Sequence, residues 1–170
     1  MRLEPPAVAG LALLAVLLLM LAELWLSRIN ERALRRRGAV EPPDEAYRIM
    51  KWAYPGVFVV MAVEGTLYGP APGAITAAGA ALLVVSKVFK FWAIASLGSR
   101  WTYRVLVVPG TPLVTRGPYA LIRHPNYVAV VGELIGMALL VGARVSGPVC
   151  LLLFGSLLRR RVRAEEHALY

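Results

Sequence analysis

The chain has 170 residues, which is enough for a single domain. Hydrophobic residues make up 58% of it, charged residues 17%, and its mean hydropathy is +0.62. Soluble domains are about 45–50% apolar and about 25% charged, so this composition excludes a disordered charged tail and disfavours a water-soluble globule. One cysteine and two histidines exclude a disulfide framework or a cluster of cysteine ligands, and we expect no metal site.

Five apolar segments predict an all-α, polytopic membrane protein that forms one domain over residues 1–170. The expected transmembrane helices cover residues 7–26, 52–68, 73–97, 127–143 and 145–158. The first has twenty residues, which matches the roughly 30 Å hydrocarbon thickness of a bilayer. A cleaved signal peptide is the alternative for that segment, but we favour a retained span because a signal core is about 7–15 residues long. The last two segments predict a C-terminal helical hairpin.

The basic residues predict the orientation in the membrane. A net charge of +9 suits either nucleic acid or an anionic membrane. In the five-span arrangement, 17 of the 19 Lys and Arg residues fall on one side, in segments 28–51, 87–123 and 159–163. The positive-inside rule therefore puts the N-terminus outside and the C-terminus in the cytoplasm. Because topology already explains the basic excess, we expect the bilayer and no nucleic acid as a partner.

Two short motifs precede the fourth apolar segment. Arg116-Gly-Pro-Tyr119 predicts a turn. In Arg123-His-Pro-Asn-Tyr127, Pro125 disfavours the α conformation at His124 and suits the first position of a helix, so His124 is the predicted N-cap. The free N–H groups that follow, with Arg123, form a candidate anion site. The alternative is that these side chains only anchor the helix at the membrane interface.

The C-terminal segment from Arg159 has no helix breaker and predicts a helix. Its residues at i, i+4, i+7 and i+11 share one face, namely Arg159, Arg163, Glu166 and Tyr170. Arg161 and Glu165 have the spacing of an i, i+4 ion pair. The alternative reading is a basic cap on the fifth span that continues as a solvated helix.

Three carboxylates fall within the apolar segments, where ionisable groups are costly and point to function. Glu133 stands inside Gly132-Glu-Leu-Ile-Gly136, a small-residue packing motif. It either lines a cavity above the anion site or is a neutral carboxyl bonded to a neighbouring helix. Glu23 and Glu64 lie near the ends of their spans, so we expect them to extend to the interface.

Taken together, these motifs resemble a known family. Gly117-Pro-Tyr119, Arg123-His-Pro-Asn-Tyr127, a hydrophobic hairpin and Arg163-Ala-Glu-Glu166 resemble the isoprenylcysteine carboxyl methyltransferase family over about residues 95–168. That family consists of integral membrane enzymes that use S-adenosylmethionine. The resemblance, which is to bacterial-type members, implies packed transmembrane helices with a cofactor site at the cytoplasmic end. It also implies an O-methyltransferase in the bacterial inner membrane.

The resemblance further assigns roles to single residues. The expected cofactor contacts are Tyr119, His124, Pro125, Asn126, Tyr127, Glu165 and Glu166. Arg163 and Arg123 would orient an anionic acceptor. Glu133, or else His124, would act as a base if the acceptor were an alcohol or an amine.

The acceptor itself is open at this point. The resemblance implies a lipophilic hydroxyl, an enol, or the carboxylate of a lipid-like or prenylated substrate. Two other classes stay as alternatives. One is an NADPH-dependent reductase of the related sterol-reductase architecture, and the other is a non-catalytic membrane scaffold or lipid-binding subunit.

Overall fold

The computed structural model describes residues 5–169, with side chains over residues 6–167, and this part of the chain is helical without strands. Five α-helices follow one another: α1 Pro5–Arg36, α2 Glu45–Tyr68, α3 Gly73–Leu97, α4 Pro125–Val141 and α5 Ser146–Leu169. Two short 3-10 helices, Gly98–Arg100 and Gly117–Ala120, lie in the connection between α3 and α4. The predicted all-α class is confirmed, and each predicted span falls largely within one helix.

Two of the described helices are long and apolar enough to cross a bilayer, over Pro6–Arg36 and Gly73–Arg100, and α4 is a shorter apolar helix. The number of five crossings therefore stays a prediction. The helix predicted for the segment from Arg159 is confirmed, and it belongs to the same helix as the fifth span, because α5 does not end near residue 158. It continues without interruption through the basic tail as far as Leu169, so its charged end is carried rigidly by the bundle.

Turn chemistry explains where the helices begin and end. Asp44 caps α2 by accepting a hydrogen bond from the Tyr47 N–H at 3.0 Å. α4 ends at Gly142, which has φ +75° and donates its N–H to the Ala138 carbonyl. A side chain at Gly142 would also collide with the Gly69 carbonyl, 2.7 Å from an ideal Cβ. Because Gly142 has no side chain, the link between α4 and α5 can pass close to the end of α2.

Small residues let α3 and α4 pack backbone to backbone. An ideal Cβ at Gly136 would lie 2.6 Å from the Leu83 nitrogen, and one at Gly79 would lie 2.3 Å from the Leu140 nitrogen. The packing role predicted for the Gly132–Gly136 motif is confirmed, since an ideal Cβ at Gly132 would also meet α3, at the Ser86 side chain. Close approach of two helix backbones is the usual consequence of such spacing in membrane proteins.

A network of four buried charges joins α1, α3 and α4. Lys87 Nζ lies 3.2 Å from Glu23 Oε1 and 3.0 Å from Glu133 Oε2. Lys90 Nζ lies 2.7 Å from Glu23 Oε2 and 3.5 Å from Glu133 Oε1. All four residues are buried. Two cations and two anions cancel, which is the condition under which charges persist in an apolar interior.

This network corrects three expectations. Lys87 and Lys90, which were counted with the basic residues on one side of the membrane, are buried residues of α3 that pair inside the bundle. Glu23 does not extend to the interface, since it is 2% exposed. Glu133 is not among the residues that line the cavity described below; it bonds to neighbouring helices, as the second expectation had it, but as one member of a charge network. Hydropathy patterns miss such a network because they do not show which charges meet.

Glu64 has a different role from the one expected. Its carboxylate accepts hydrogen bonds from the N–H groups of Val145 and Ser146, at 2.9 Å and 2.6 Å. These are unpaired donors at the start of α5, where a negative charge is favourable. Glu64 therefore ties the end of α2 to the hairpin instead of only reaching for solvent.

The α3–α4 contact can be tested with a matched pair of glycine substitutions. Gly136→Ala should destabilise the protein by about 1–3 kcal/mol, because the added methyl group meets the backbone of α3. Gly155→Ala in α5 is the control, because an ideal Cβ there meets nothing within 4 Å. Thermal unfolding in detergent measures both. Equal melting temperatures for the two variants would contradict the close contact.

Removal of one lysine from the buried network should lower the stability of the protein. Lys90→Met leaves two buried carboxylates with one lysine, and loss of a partner in a buried pair typically costs about 3–5 kcal/mol. Lys51→Met, at an exposed position, is the control. A Lys90 variant as stable as the Lys51 variant would show that the four charges do not hold the helices together.

Candidate active site

The site is built on the first turn of α4. His124 is the N-cap with φ −127° and ψ 61°, and Pro125 is the first helical residue, as predicted. The N–H groups of Tyr127 and Val128 both donate to the His124 carbonyl, at 3.1 Å and 3.3 Å. The helix start is thus rigid, and it fixes the directions of the His124 and Tyr127 side chains.

The charged end of α5 meets this helix start. His124 Nε2 lies 3.2 Å from Glu166 Oε1, and its Nδ1 lies 3.6 Å from Glu165 Oε2. The Tyr127 hydroxyl donates to Glu165 Oε2 at 2.7 Å. The structure therefore brings together the two motifs that the sequence separates by about forty residues. The anions beside the start of α4 are the chain's own carboxylates, in the region where we expected an external anion.

Charge pairing holds this cluster ionised. The Glu165 carboxylate, with a smaller contribution from Glu166, raises the pKa of the His124 imidazole above 6.5 even though burial opposes it. Burial also opposes the charge on Glu165 most strongly, but hydrogen bonds from His124 and Tyr127 outweigh it and lower the pKa of that carboxyl below 4.5. Both shifts favour the charged forms, so the contact between His124 and Glu165 is strongest as an ion pair.

Arg161 completes the cluster, but its contacts differ from the pairing with Glu165 that the sequence predicts. Its guanidinium donates to the Asp44 carboxylate and to the Tyr103 carbonyl, and its Nε lies 3.4 Å from the Tyr127 hydroxyl. The expected i, i+4 ion pair with Glu165 is therefore not its main contact. Arg161 is 5% exposed. Through it, α5 is joined to the cap of α2 and to the loop that follows α3.

A cavity of about 260 Å³ opens beside the cluster. Its wall contains five arginines and one carboxylate, Glu165, with apolar side chains between them. The arginines are Arg37, Arg100, Arg104, Arg123 and Arg161. The apolar and aromatic part includes Leu34, Leu97, Trp101, Val105, Leu113 and Tyr119. Such a wall suits a ligand that carries a carboxylate, a cationic group and flat or apolar parts.

The predicted site residues divide into three groups. Those that line the cavity are Tyr119, Arg123, His124, Asn126, Tyr127 and Glu165. Pro125 and Glu166 support it, the first as the buried start of α4 and the second through His124. Arg163 is exposed and Glu133 is buried among lysines, so the structure brings neither to the cavity. The face predicted from Arg159 to Tyr170 cannot be followed to its end, because Tyr170 lies outside the described residues.

One buried oxygen on a cavity-lining residue is free to accept a hydrogen bond from a ligand. Asn126 Oδ1 is buried and has no hydrogen-bond partner among the described residues, although buried polar groups are nearly always paired. Asn126 lines the same cavity as Glu165. A ligand amino group would satisfy both acceptors, and the arginines would pair with a ligand carboxylate. The donor and acceptor set therefore fits a ligand that carries both an amino group and a carboxylate.

Comparison with known proteins agrees with these motifs. Residues 79–170 match the model of the isoprenylcysteine carboxyl methyltransferase (ICMT) family. The chain belongs to this family. The matched region includes α4, α5 and most of α3, so it extends further toward the N-terminus than the resemblance that begins near residue 95.

Two curated relatives cover nearly the whole chain. "Uncharacterized protein YpbQ" of Bacillus subtilis (strain 168) is 33% identical over 148 residues, which are 87% of this chain and 88% of the relative. An "Uncharacterized protein" of Haemophilus influenzae is 24% identical over 141 residues, 82% of each chain. No solved structure matches. The family assignment, with two apolar helices long enough to cross a bilayer, indicates a membrane methyltransferase.

The ion pair of His124 should make stability depend on pH. Because its pKa is raised in the folded state, its contribution is complete below about pH 6.5 and is lost as pH rises through the raised value. We expect the difference in melting temperature between wild type and His124→Gln to shrink over that range. His167→Gln, an exposed histidine, is the control and should follow wild type. A His124 difference that is constant with pH would contradict the pairing.

Proposed function

We propose that this family member transfers a methyl group from S-adenosylmethionine to a lipophilic, ionised acceptor. The observation that carries the proposal is the contact between the His124–Tyr127 helix start and the Glu165–Glu166 pair at the edge of an arginine-lined cavity. Sequence comparison alone supports a membrane methyltransferase, whereas the donor and the acceptor are our inference from the cavity.

The chain's own groups suit the donor's polar parts. Glu165 and the unpaired Asn126 oxygen would hold its amino group, and arginines of the cavity wall would hold its carboxylate. Trp101 and Tyr119 offer flat apolar contacts. When bound, S-adenosylmethionine supplies an electrophilic methyl group on a sulfonium. Tyr127 and His124 keep Glu165 ionised and fixed in direction, so the cavity is preorganised for a cation.

The charges of the cavity favour an acceptor that is already an anion. Of the cavity-lining residues, Glu165 alone carries a carboxylate, and Tyr127 already hydrogen-bonds it. Pairing with Glu165 raises the pKa of His124 and so favours its protonated form, which cannot accept a proton from the acceptor. A carboxylate or an acidic enol needs no strong base. The protein's task is then to orient the reactants and exclude water, which contributes up to about 7–11 kcal/mol in favourable cases.

This charge argument changes the roles expected for the acceptor. Arg123 lines the cavity and stays the candidate that orients an anion, whereas Arg163 is exposed. Glu133, paired with Lys87 and Lys90, has no place in our mechanism. The substrate class is the ionised carboxylate or enol of a lipid-like or prenylated molecule.

The orientation in the membrane follows from the end of the bundle that carries the site. This end of the bundle contains one terminus of each helix: the end of α1, the start of α2, the end of α3, the start of α4 and the end of α5. Contacts such as Asn30–Trp101 and Arg161–Asp44 hold these termini together. The arginine-rich segments belong to this same end. We propose that it faces the cytoplasm, with the N-terminus outside, in a bacterial inner membrane. The polar donor would then enter from the cytoplasm and the acceptor from the bilayer.

Methyl transfer with a matched pair of variants tests the proposal. The probe is tritiated methyl transfer from S-adenosylmethionine into a total bacterial lipid extract. Glu165→Gln keeps the shape but removes the charge, and we expect kcat/KM to fall about 10–100-fold, as for loss of a hydrogen bond to a charged group. Glu45→Gln, at an exposed position of α2, should behave as wild type. Failure to label any lipid, or an unchanged Glu165 variant, would overturn the proposal.

Cofactor choice separates the remaining classes. S-adenosylhomocysteine at about a hundredfold excess over Kd should stabilise the protein by about 2.7 kcal/mol in thermal unfolding. Stabilisation by NADPH and not by S-adenosylhomocysteine would indicate a reductase. Stabilisation by neither would indicate a scaffold or a lipid-binding subunit.

A further inference from the structure

The loop after α3 forms one wall of the cavity and is held from behind by α1. Trp101, Thr102, Arg104 and Val105 line the cavity, whereas the intervening Tyr103 does not. The Tyr103 hydroxyl instead donates to Glu23 Oε2 at 2.7 Å. This segment therefore presents one surface to the ligand space and anchors the other in the buried charge network.

Tyr103 is fixed at three points. Its N–H donates to Ser27 Oγ at 2.8 Å, its carbonyl accepts from Arg161, and its hydroxyl binds Glu23. The preceding Trp101 carbonyl accepts a hydrogen bond from Asn30 Nδ2 at 2.8 Å. Ser27 is fully buried. Such a density of buried polar contacts on a loop is more than chain connection requires, and it leaves the wall with little freedom to move.

The same residue joins two clusters of charge. On one side, Glu23 is held by Lys87 and Lys90. On the other side, Arg161 binds the Tyr103 carbonyl and also lies 3.4 Å from the Tyr127 hydroxyl. Tyr127 in turn donates to Glu165. A continuous path of polar contacts thus runs from the buried lysines to the carboxylate of the cavity.

We propose that Tyr103 is a positioning residue, through which the buried charge network sets the cavity wall and thereby the affinity for the donor. The inference rests on the proposed function for the identity of the donor. It adds a role for the network, which our mechanism otherwise leaves unused. Tyr103 does not line the cavity. We therefore expect its loss to change the affinity for the donor and not the rate of the methyl-transfer step.

The network supplies its own control. Tyr54 donates its hydroxyl to Glu133 Oε2 at 2.5 Å, just as Tyr103 donates to Glu23. Both tyrosines are bound to a carboxylate of the same four-charge network, but Tyr54 belongs to α2 and does not line the cavity. Tyr54→Phe and Tyr103→Phe each remove a hydroxyl that donates to a carboxylate of this network, and the Tyr54 hydroxyl also accepts from Lys90 at 3.3 Å. A purely structural role predicts the same consequences for both.

The experiment measures binding and unfolding of the full-length protein in detergent with S-adenosylhomocysteine as the probe. Both variants should lower the melting temperature. Tyr103→Phe alone should raise the Kd of S-adenosylhomocysteine, about three- to tenfold, with KM for the donor rising and kcat nearly unchanged. Equal Kd values for the two variants would overturn the inference.

Hydrogen exchange of the ligand-free protein gives a second readout that needs no donor. Amides of residues 101–105 should exchange faster in Tyr103→Phe and at the wild-type rate in Tyr54→Phe. Ser27→Ala, which removes the acceptor of the Tyr103 N–H and keeps the ring, should act in the same direction as Tyr103→Phe. Unchanged exchange in both would overturn the positioning role. If the variants show this exchange pattern but the wild-type protein binds no S-adenosylhomocysteine, the proposed function is overturned instead.

Discussion

Charges inside an apolar bundle must neutralise one another, and this constraint organises the molecule. Glu23, Lys87, Lys90 and Glu133 come from three helices, and each carboxylate contacts both lysines. An error in the rotation or depth of any one helix would leave a buried charge without its partner. Apolar packing alone tolerates such sliding far better. The four charges therefore specify the register in which α1, α3 and α4 meet.

The candidate active site inherits this register. α4 carries Glu133 in the network and, about two turns earlier, the His124–Tyr127 helix start at the cavity. α1 carries Glu23 in the network and, one turn later, Ser27, which holds the cavity loop. α5 then closes the site with its charged end, through Arg161, Glu165 and Glu166. These placements produce a cavity that is lined by arginines and by the carboxylate of Glu165. Such a cavity suits a donor that carries both a negative and a positive charge.

Local chemistry let the sequence predict the helices and the central contact of the site. Length and hydropathy predict the apolar segments, and Pro125 predicts the start of α4 because proline restricts both itself and its predecessor. The meeting of His124 with Glu166 follows from motifs that the family shares. Arg161 and Asp44 could not be paired in this way, because 117 residues separate them and neither belongs to a motif.

The buried lysines escaped prediction for a related reason. A count of basic residues treats every lysine near the end of a span as a loop cation. Only the three-dimensional arrangement shows that Lys87 and Lys90 face two carboxylates from other helices. The same limit explains Tyr103, whose hydroxyl and backbone anchors lie 58 to 80 residues away along the chain.

The claim on which the account rests is that the sulfonium donor occupies the cavity between the loop after α3, the start of α4 and the end of α5. Ultraviolet crosslinking of radiolabelled S-adenosylmethionine to the purified protein, followed by peptide mapping, tests it most directly. We expect the label in peptides that cover residues 97–127 or 159–167, and competition by unlabelled S-adenosylhomocysteine. Competed label confined to α2, or to the link between α4 and α5, would contradict the account.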